Sequence, residues 1–446
     1  MKQKILTALI LIFSAGILNS QTLNLRFSTY FYSWQRLDSI NDPSSNKTTH
    51  IQGYQDLFLD VNKDKWSFNT MIQTDEDVMN RIDKGFHYRF YNIYVKGTNL
   101  FNHLDLKLGR QYVYAGVGKG PVDGLYLKIK AGKDKEYQLS GFGGYATNTD
   151  YAFDKYLSLK DNYSIGGQFS YYGVKDLVAS ASYSNMHHKP LPYYAFRIDS
   201  LMNTHEVLID LDSPTEQFAG LDFDYSYKSK HYVYGKLYYD INQRMFYRGE
   251  LNARVRVIEN LNLSAGYLYR QPQISYNSIF WVFEHNKYQE IEGGADYTLK
   301  NGINLFGKVS DVIYSGSSDG KNNSLRLQLG FNNPSYGLSY VKYTGYTGES
   351  DGASGYFYRE IVKSILSATA SLNYSRYRLE EYTTTADGTS IDRVNSLSGM
   401  LGITYRPMPQ LSVDAQGQFI QNRIYKADTR FLIGLTYWLF KNFKKA

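Results

Sequence analysis

From Ser324 to Asn332 the chain reads Ser-Leu-Arg-Leu-Gln-Leu-Gly-Phe-Asn. This alternation sets Leu325, Leu327, Leu329 and Phe331 on one face of a strand and polar or small residues on the other. Similar alternations of about ten residues recur almost to the C-terminus. Short connections rich in Lys, Asp, Asn and Gly fall at 62–65, 132–135, 228–230, 300–302 and 332–335. They alternate with longer segments at 35–50, 75–85, 147–161, 187–215, 271–287 and 381–392. The pattern predicts about 20 to 22 antiparallel spans, with about 16 as the lower bound, from Thr22–Trp34 to Asp428–Phe440. Between Gly355 and Leu379 one long strand or two with a turn near Lys363 fit equally well, and only two keep both chain ends on one rim.

Strands that are apolar on one face and wet on the other, with short turns at one rim and long loops at the other, suit a transmembrane antiparallel up-and-down β-barrel. Only closure satisfies every backbone group in lipid. The soluble alternative, a propeller, would repeat blades of roughly forty residues, and no such period is present. The fold class expected is therefore all-β, a single barrel domain over residues 21–446, with the short-turn rim periplasmic.

The N-terminal segment bears on destination. Lys2 and Lys4 precede an apolar run from Ile5 to Ala15, and Leu18, Asn19 and Ser20 lead to Gln21. This predicts a signal peptide over residues 1–20, because a membrane anchor needs roughly twenty apolar residues. Strand-like alternation resumes at Thr22, which leaves this sequence no room for an N-terminal plug of the energised-receptor kind.

Composition narrows the picture further. The mean hydropathy of −0.44 excludes a helical membrane protein but suits a barrel, which shows lipid only half of each strand. Its 44 tyrosines fit membrane interfaces, polar lumens or sugar-binding surfaces, and abundance alone does not separate these uses. With no cysteine there is neither a disulfide framework nor a thiolate metal site. The formal charge of +7 falls to +5 once Lys2 and Lys4 are removed, and bases and acids are interspersed along the chain. That pattern excludes a basic nucleic-acid stripe.

The opposite parity of each clear strand predicts the lumen. Candidate pore-lining residues are Lys107, Lys128, Lys130, Arg248, Arg254, Arg256, Arg326, Asp222, Asp224 and Glu292, with Arg26, Arg270, Asp56, Asp60, Glu250, Glu290, Asp296 and Asp414 on the same faces. The signs roughly balance, whereas a strongly anion-selective pore would show a one-sided ring of cations. Two local basic clusters, Lys107 with Lys128 and Lys130 and Arg248 with Arg254 and Arg256, could hold an anion.

A barrel of about 20 strands without a plug would leak, since sixteen to eighteen already enclose an aqueous channel. The longest irregular stretch, 187–215, carries Pro190 and Pro192, the aromatics Tyr193, Tyr194 and Phe196 beside Arg197, and an apolar run from Val207 to Ile209. It is the candidate constriction loop, expected to fold inward onto the wall; an extracellular lid or partner-binding loop is the competing placement.

The last span, with Phe431, Ile433, Leu435, Tyr437 and Leu439 alternating into Phe440, resembles the C-terminal strand by which bacterial outer-membrane barrels are recognised for assembly. Here Lys441 to Ala446 follow the aromatic, whereas many members of that family stop on it. A second segment, Leu108-Gly109-Arg110-Gln111 followed by Gly116, Gly118, Asp123 and Gly124, resembles one in porin-like and exopolysaccharide-export barrels of Gram-negative outer membranes. It covers under a tenth of the chain. Parity sets Arg110 on the face of Leu104, Leu106 and Leu108. Three placements follow: turned into the lumen by a bulge near Gly109, at the outer rim facing lipid phosphates, or anchoring a loop.

Chemistry finds little purchase. His187, His188, His205, Glu206, Asp210 and Asp212 lie in the long loop, but without zincin-like spacing, and adjacent His187 and His188 point to opposite faces of a strand. No Gly-x-Ser-x-Gly elbow stands out. No enzyme and no cofactor are expected. The expected function is passive diffusion of small hydrophilic solutes, sugars among the candidates, through a mixed-charge lumen in the bacterial outer membrane. The implied partners are outer-membrane lipids and the barrel-assembly machinery, with no nucleic acid. The alternative is a non-channel barrel that serves polysaccharide export or anchors surface machinery.

Overall fold

A computed structural model describes residues 22–38, 48–79, 82, 85–148, 150–153, 158–189, 192–198, 200, 202–212, 214–274, 286–315, 322–346, 348–378 and 394–443. The expected signal segment lies outside them. Among the described residues, 22 strands form one antiparallel sheet that closes on itself. The first, Thr22–Asp38, pairs on one side with Thr49–Lys63 and on the other with the last, Tyr425–Asn442. Closure gives every strand of this sheet a neighbour on both sides over at least part of its length.

Thr22 stands opposite both Asn62 and Asn442, so the first strand's start, the last strand's end and the 64–65 turn share one rim. The five short connections expected from sequence all fall on that rim. The ambiguous stretch near Lys363 resolves into Glu349–Val362 and Leu366–Arg378 joined at 363–365, as an even strand count with both ends on one rim requires. The strand ends at 38, 49, 146 and 162 lie at the opposite rim, which also carries the short connections 241–244 and 422–424. The segment expected at 381–392 lies outside the described residues.

Side chains follow the period of two. Leu325 and Leu329 are exposed on the outer face, as are Phe431, Ile433, Leu435 and Tyr437. Their neighbours across the wall point inward. Ser28 and Thr436, directly opposite in register, are buried and hydrogen-bonded at 3.1 Å on the inner face. The molecule is thus apolar outside and polar inside, the reverse of a soluble domain. Towards one rim the outer apolar band ends in charge: Arg376 binds Asp351 at 3.1 Å, Arg378 lies 3.4 Å from Glu349, and Lys342 stands opposite Asp351.

Candidate solute pathway and its in-folded hairpin

One hairpin departs from the wall. Strands Leu104–Ala115 and Gly118–Ala131 pair with each other along their whole length, from Leu104 opposite Ile129 to Ala115 opposite Gly118. On one side, however, the pairing with Phe86–Leu100 ends at Ile93 opposite Arg110. On the other, pairing with Tyr137–Ala146 ends at Val122 opposite Ala146. Residues 111–121 therefore have each other and no lateral partner in the sheet. The departure begins at Gly109, whose φ of +124° is in the range that favours glycine and where an added Cβ would lie 2.3 Å from the Ile93 carbonyl oxygen.

The contacts of the tip show which way it bends. The Val117 amide donates to Ser182 Oγ at 3.1 Å, and Ser182 Oγ donates to the Gly220 carbonyl at 3.4 Å. Ser182 and Gly220 face each other across strands Leu177–His188 and Glu216–Tyr227, while their neighbours Tyr183 and Leu221 are exposed on the outer face. The tip therefore rests on the inner wall. Gly220 makes the room, since a Cβ there would sit 2.5 Å from Val117 Cγ1. Val113, Ala115 and Val122 on the wall-facing side pack with inward-pointing Phe142 into a buried cluster bordered by Tyr126. Tyr112 and Tyr114 on the other side, 4.6 Å apart between ring centroids, stay exposed.

The bend leaves a gap in the wall, and residues 150–153 fill it. The Phe90 amide donates to the Tyr151 carbonyl at 3.3 Å, and the Thr147 amide donates to the Pro121 carbonyl at 3.3 Å. Arg110, only 1% exposed, lies inside this patch. It binds Asp123 with two hydrogen bonds, Nε to Oδ1 at 2.6 Å and Nη2 to Oδ2 at 2.7 Å. Its Nη1 donates to the carbonyls of Phe90, at 3.1 Å, and of Tyr151, and the Phe153 ring lies 3.8 Å from the guanidinium carbon. Of the three placements open from sequence, the structure gives the anchor: the chain does turn at Gly109, but Arg110 reaches neither lumen water nor the outer surface.

The candidate pore-lining residues all lie on inward faces, and four of the ten, Lys130, Arg248, Arg326 and Glu292, sit in close ion pairs. Lys130 binds Asp105 at 2.6 Å, and Arg248 binds Glu250, Nε to Oε2, at 2.9 Å. Arg326 lies 2.8 Å from Glu292, which also takes Lys308 at 3.0 Å. Asp222 accepts from Tyr238 at 2.9 Å and Asp224 from Tyr232 at 2.6 Å. Arg254 is only loosely paired, 3.9 Å from Asp296, and Arg256 is exposed opposite Asn262. Lys107 stands 5.5 and 5.3 Å from the ring centroids of Tyr94 and Tyr126. The residue beside it in register is Lys96, which sequence reading had left out of the basic cluster with Lys128.

The 187–215 segment is arranged differently from the expected constriction. Tyr193–Ile198 pairs with Thr204–Ile209 as a separate two-stranded sheet, Arg197 opposite His205. Tyr193, Tyr194 and Phe196 are exposed, Phe196 to 75%, so they do not pack on the wall. At its base Lys189 binds Asp210 at 2.9 Å, which raises the lysine's pKa above its ordinary value, and His187 lies 3.9 Å from Asp212. Among the described residues no group of three or more His, Cys, Asp or Glu is placed to hold a metal.

No protein-family model matches the chain, and no curated protein matches it. Among solved structures, OccAB4 of Acinetobacter baumannii resembles it with a TM-score of 0.42 and 8% identity over 95% of this chain and 99% of that one. The P pilus usher translocation pore PapC does so at 0.42 and 9%, over 93% and 99%. The outer membrane protein OpdK of Pseudomonas aeruginosa gives 0.40 and 9%, over 94% and 99%.

Proposed function

We propose that the chain is an outer-membrane channel of porin type, exported by its signal segment, through which small hydrophilic solutes diffuse passively past an internal constriction. The observation that carries this is the hairpin 111–121 lying on the inner wall of a closed barrel with a polar inner face. Twenty-two strands enclose a lumen too wide to discriminate, and natural barrels of that size are plugged. A hairpin seated on one arc of the wall narrows such a lumen without filling it. The exposed apolar outer face supports the membrane setting, because burying it in lipid removes a surface that water would not tolerate. Locally paired lumen charges oppose strong selection by sign.

The test is single-channel recording of purified protein in planar bilayers, beside a variant in which Tyr112–Pro121 is replaced by a two-residue turn. The variant is expected to assemble, to conduct more and to pass larger solutes. A wild-type barrel that conducts nothing would overturn the channel and favour an export or anchoring role. Equal conductance and solute cutoff in the two proteins would remove the hairpin as the constriction.

A further inference from the structure

The wall immediately beside the hairpin tip, one step towards the rim that carries the chain ends, holds a cavity of about 220 Å³. Ser180, Asp222, Asp224, Tyr232, Tyr234 and Lys236 line it. At about 30 Å³ per water this is room for roughly seven waters, the space of one ring-sized solute. The Tyr232 and Tyr234 rings follow one another along the strand with centroids 5.7 Å apart, and Lys236 Nζ lies 5.6 Å from the Tyr234 centroid.

The hydrogen-bonding inventory is one-sided. Tyr232 donates to Asp224, Tyr234 to Glu250 and Tyr238 to Asp222, so all three phenol protons are committed to carboxylates. Asp222 Oδ2 is buried without a hydrogen-bond partner among the described residues, and a Cβ on the tip residue Gly116 would stand 3.5 Å from it. That oxygen is closed off beneath the tip, so the cavity itself offers aromatic surface and the half-buried Asp224 carboxylate, and it asks its ligand for donors. An anion would meet three carboxylates, Asp222, Asp224 and Glu250, against Lys236 and an Arg248 already held by Glu250. A cation would be drawn by the same excess of carboxylate, so the charge of the site excludes anions alone. A polyol without a carboxylate escapes that repulsion, supplies many O–H donors, and lays its C–H face on a tyrosine ring.

We infer that this cavity is a subsite for a sugar ring without negative charge, which binds at the constriction as it passes. The inference rests on the channel reading and names the solute class of that pathway. Full-length protein in planar bilayers, with D-glucose as the probe, is expected to show a saturable drop in single-channel current. In Asp222→Asn/Asp224→Asn the half-blocking concentration should rise about tenfold, the loss of a hydrogen bond to a charged acceptor. Glucuronate should block wild type less than glucose does at equal concentration, a comparison that needs no variant to fold.

An open channel whose current falls with glucose only in proportion to viscosity would overturn the subsite and leave the channel standing. Stronger block by glucuronate than by glucose would overturn the exclusion of anions, and an unchanged half-blocking concentration in the variant would overturn the residue assignment. Absence of any conductance would instead bring down the channel reading itself.

Discussion

Arg110 and Asp123 face each other across the neck of the in-folded hairpin, directly opposite in register and joined by two hydrogen bonds of 2.6 and 2.7 Å. Both lie where period-two counting would set them on the outer face, yet the patch at 150–153 encloses them. The pair holds the hairpin, the patch and the strand Phe86–Leu100 at a single point.

Removing one partner of a buried pair strands the other charge. Arg110→Ala is therefore expected to cost about 3 to 5 kcal/mol and to loosen the hairpin. Replacing both, Arg110→Met with Asp123→Leu, should recover much of that loss. Urea titration of the folded, heat-modifiable form in lipid vesicles measures both, and channel noise should rise in the single variant.

Gly220 decides whether the hairpin tip can sit down. In Gly220→Leu the new side chain enters the space of Val117, and a core-sized overpacking penalty of about 1 to 3 kcal/mol is relieved by lifting the tip off the wall. The expected readout is altered single-channel conductance with little change in barrel stability. Conductance identical to wild type would mean that the tip does not set the opening.

Leu401, 70% exposed on the outer face midway along Val394–Met408, reports the lipid face. Leu401→Arg should cost about 2 to 4 kcal/mol if it lies at the bilayer midplane. Met400→Arg, whose neighbours across the sheet are Ser371 and Gln418 on the wet side, should cost far less. Equal costs in vesicle-folding titrations would reverse the inside and outside assigned here.

Arg326 offsets Glu290 and Glu292 on the lumen wall. Arg326→Met leaves Glu290 uncompensated and Glu292 with Lys308 alone, so the reversal potential in a potassium chloride gradient should shift towards cation selectivity. The shift should shrink at high salt, where a Debye length of about 3 Å at 1 M screens the pair.

The hairpin Tyr193–Ile198 with Thr204–Ile209 is paired only with itself. Its excision from Tyr193 to Ile209 should leave single-channel conductance and solute cutoff unchanged. A rise in either would return this segment to the lumen.

Much of the barrel was legible in the sequence because its rules are local. A period of two fixes which face is greasy in Ser324–Asn332 and again from Phe431 to Tyr437, and Gly, Asn and Asp mark the turns within a few residues. The strand count, the shared rim of both ends and the inward faces of Arg326, Glu292 and Asp222 all follow from those rules. The constriction did not. Parity counted through Gly109 as though its backbone were extended, so Arg110 could not be placed among its three possibilities. The apolar runs at 193–198 and 207–209 looked like packing surface for the wall because nothing local shows that they pair with each other. The hairpin's direction was decided by Ser182, Gly220 and Phe142, which lie far from Val117 in the chain and meet it only once the wall has closed. Local periodicity determined the barrel. Space left by small side chains on distant strands, a property of the tertiary structure alone, decided what stands inside it.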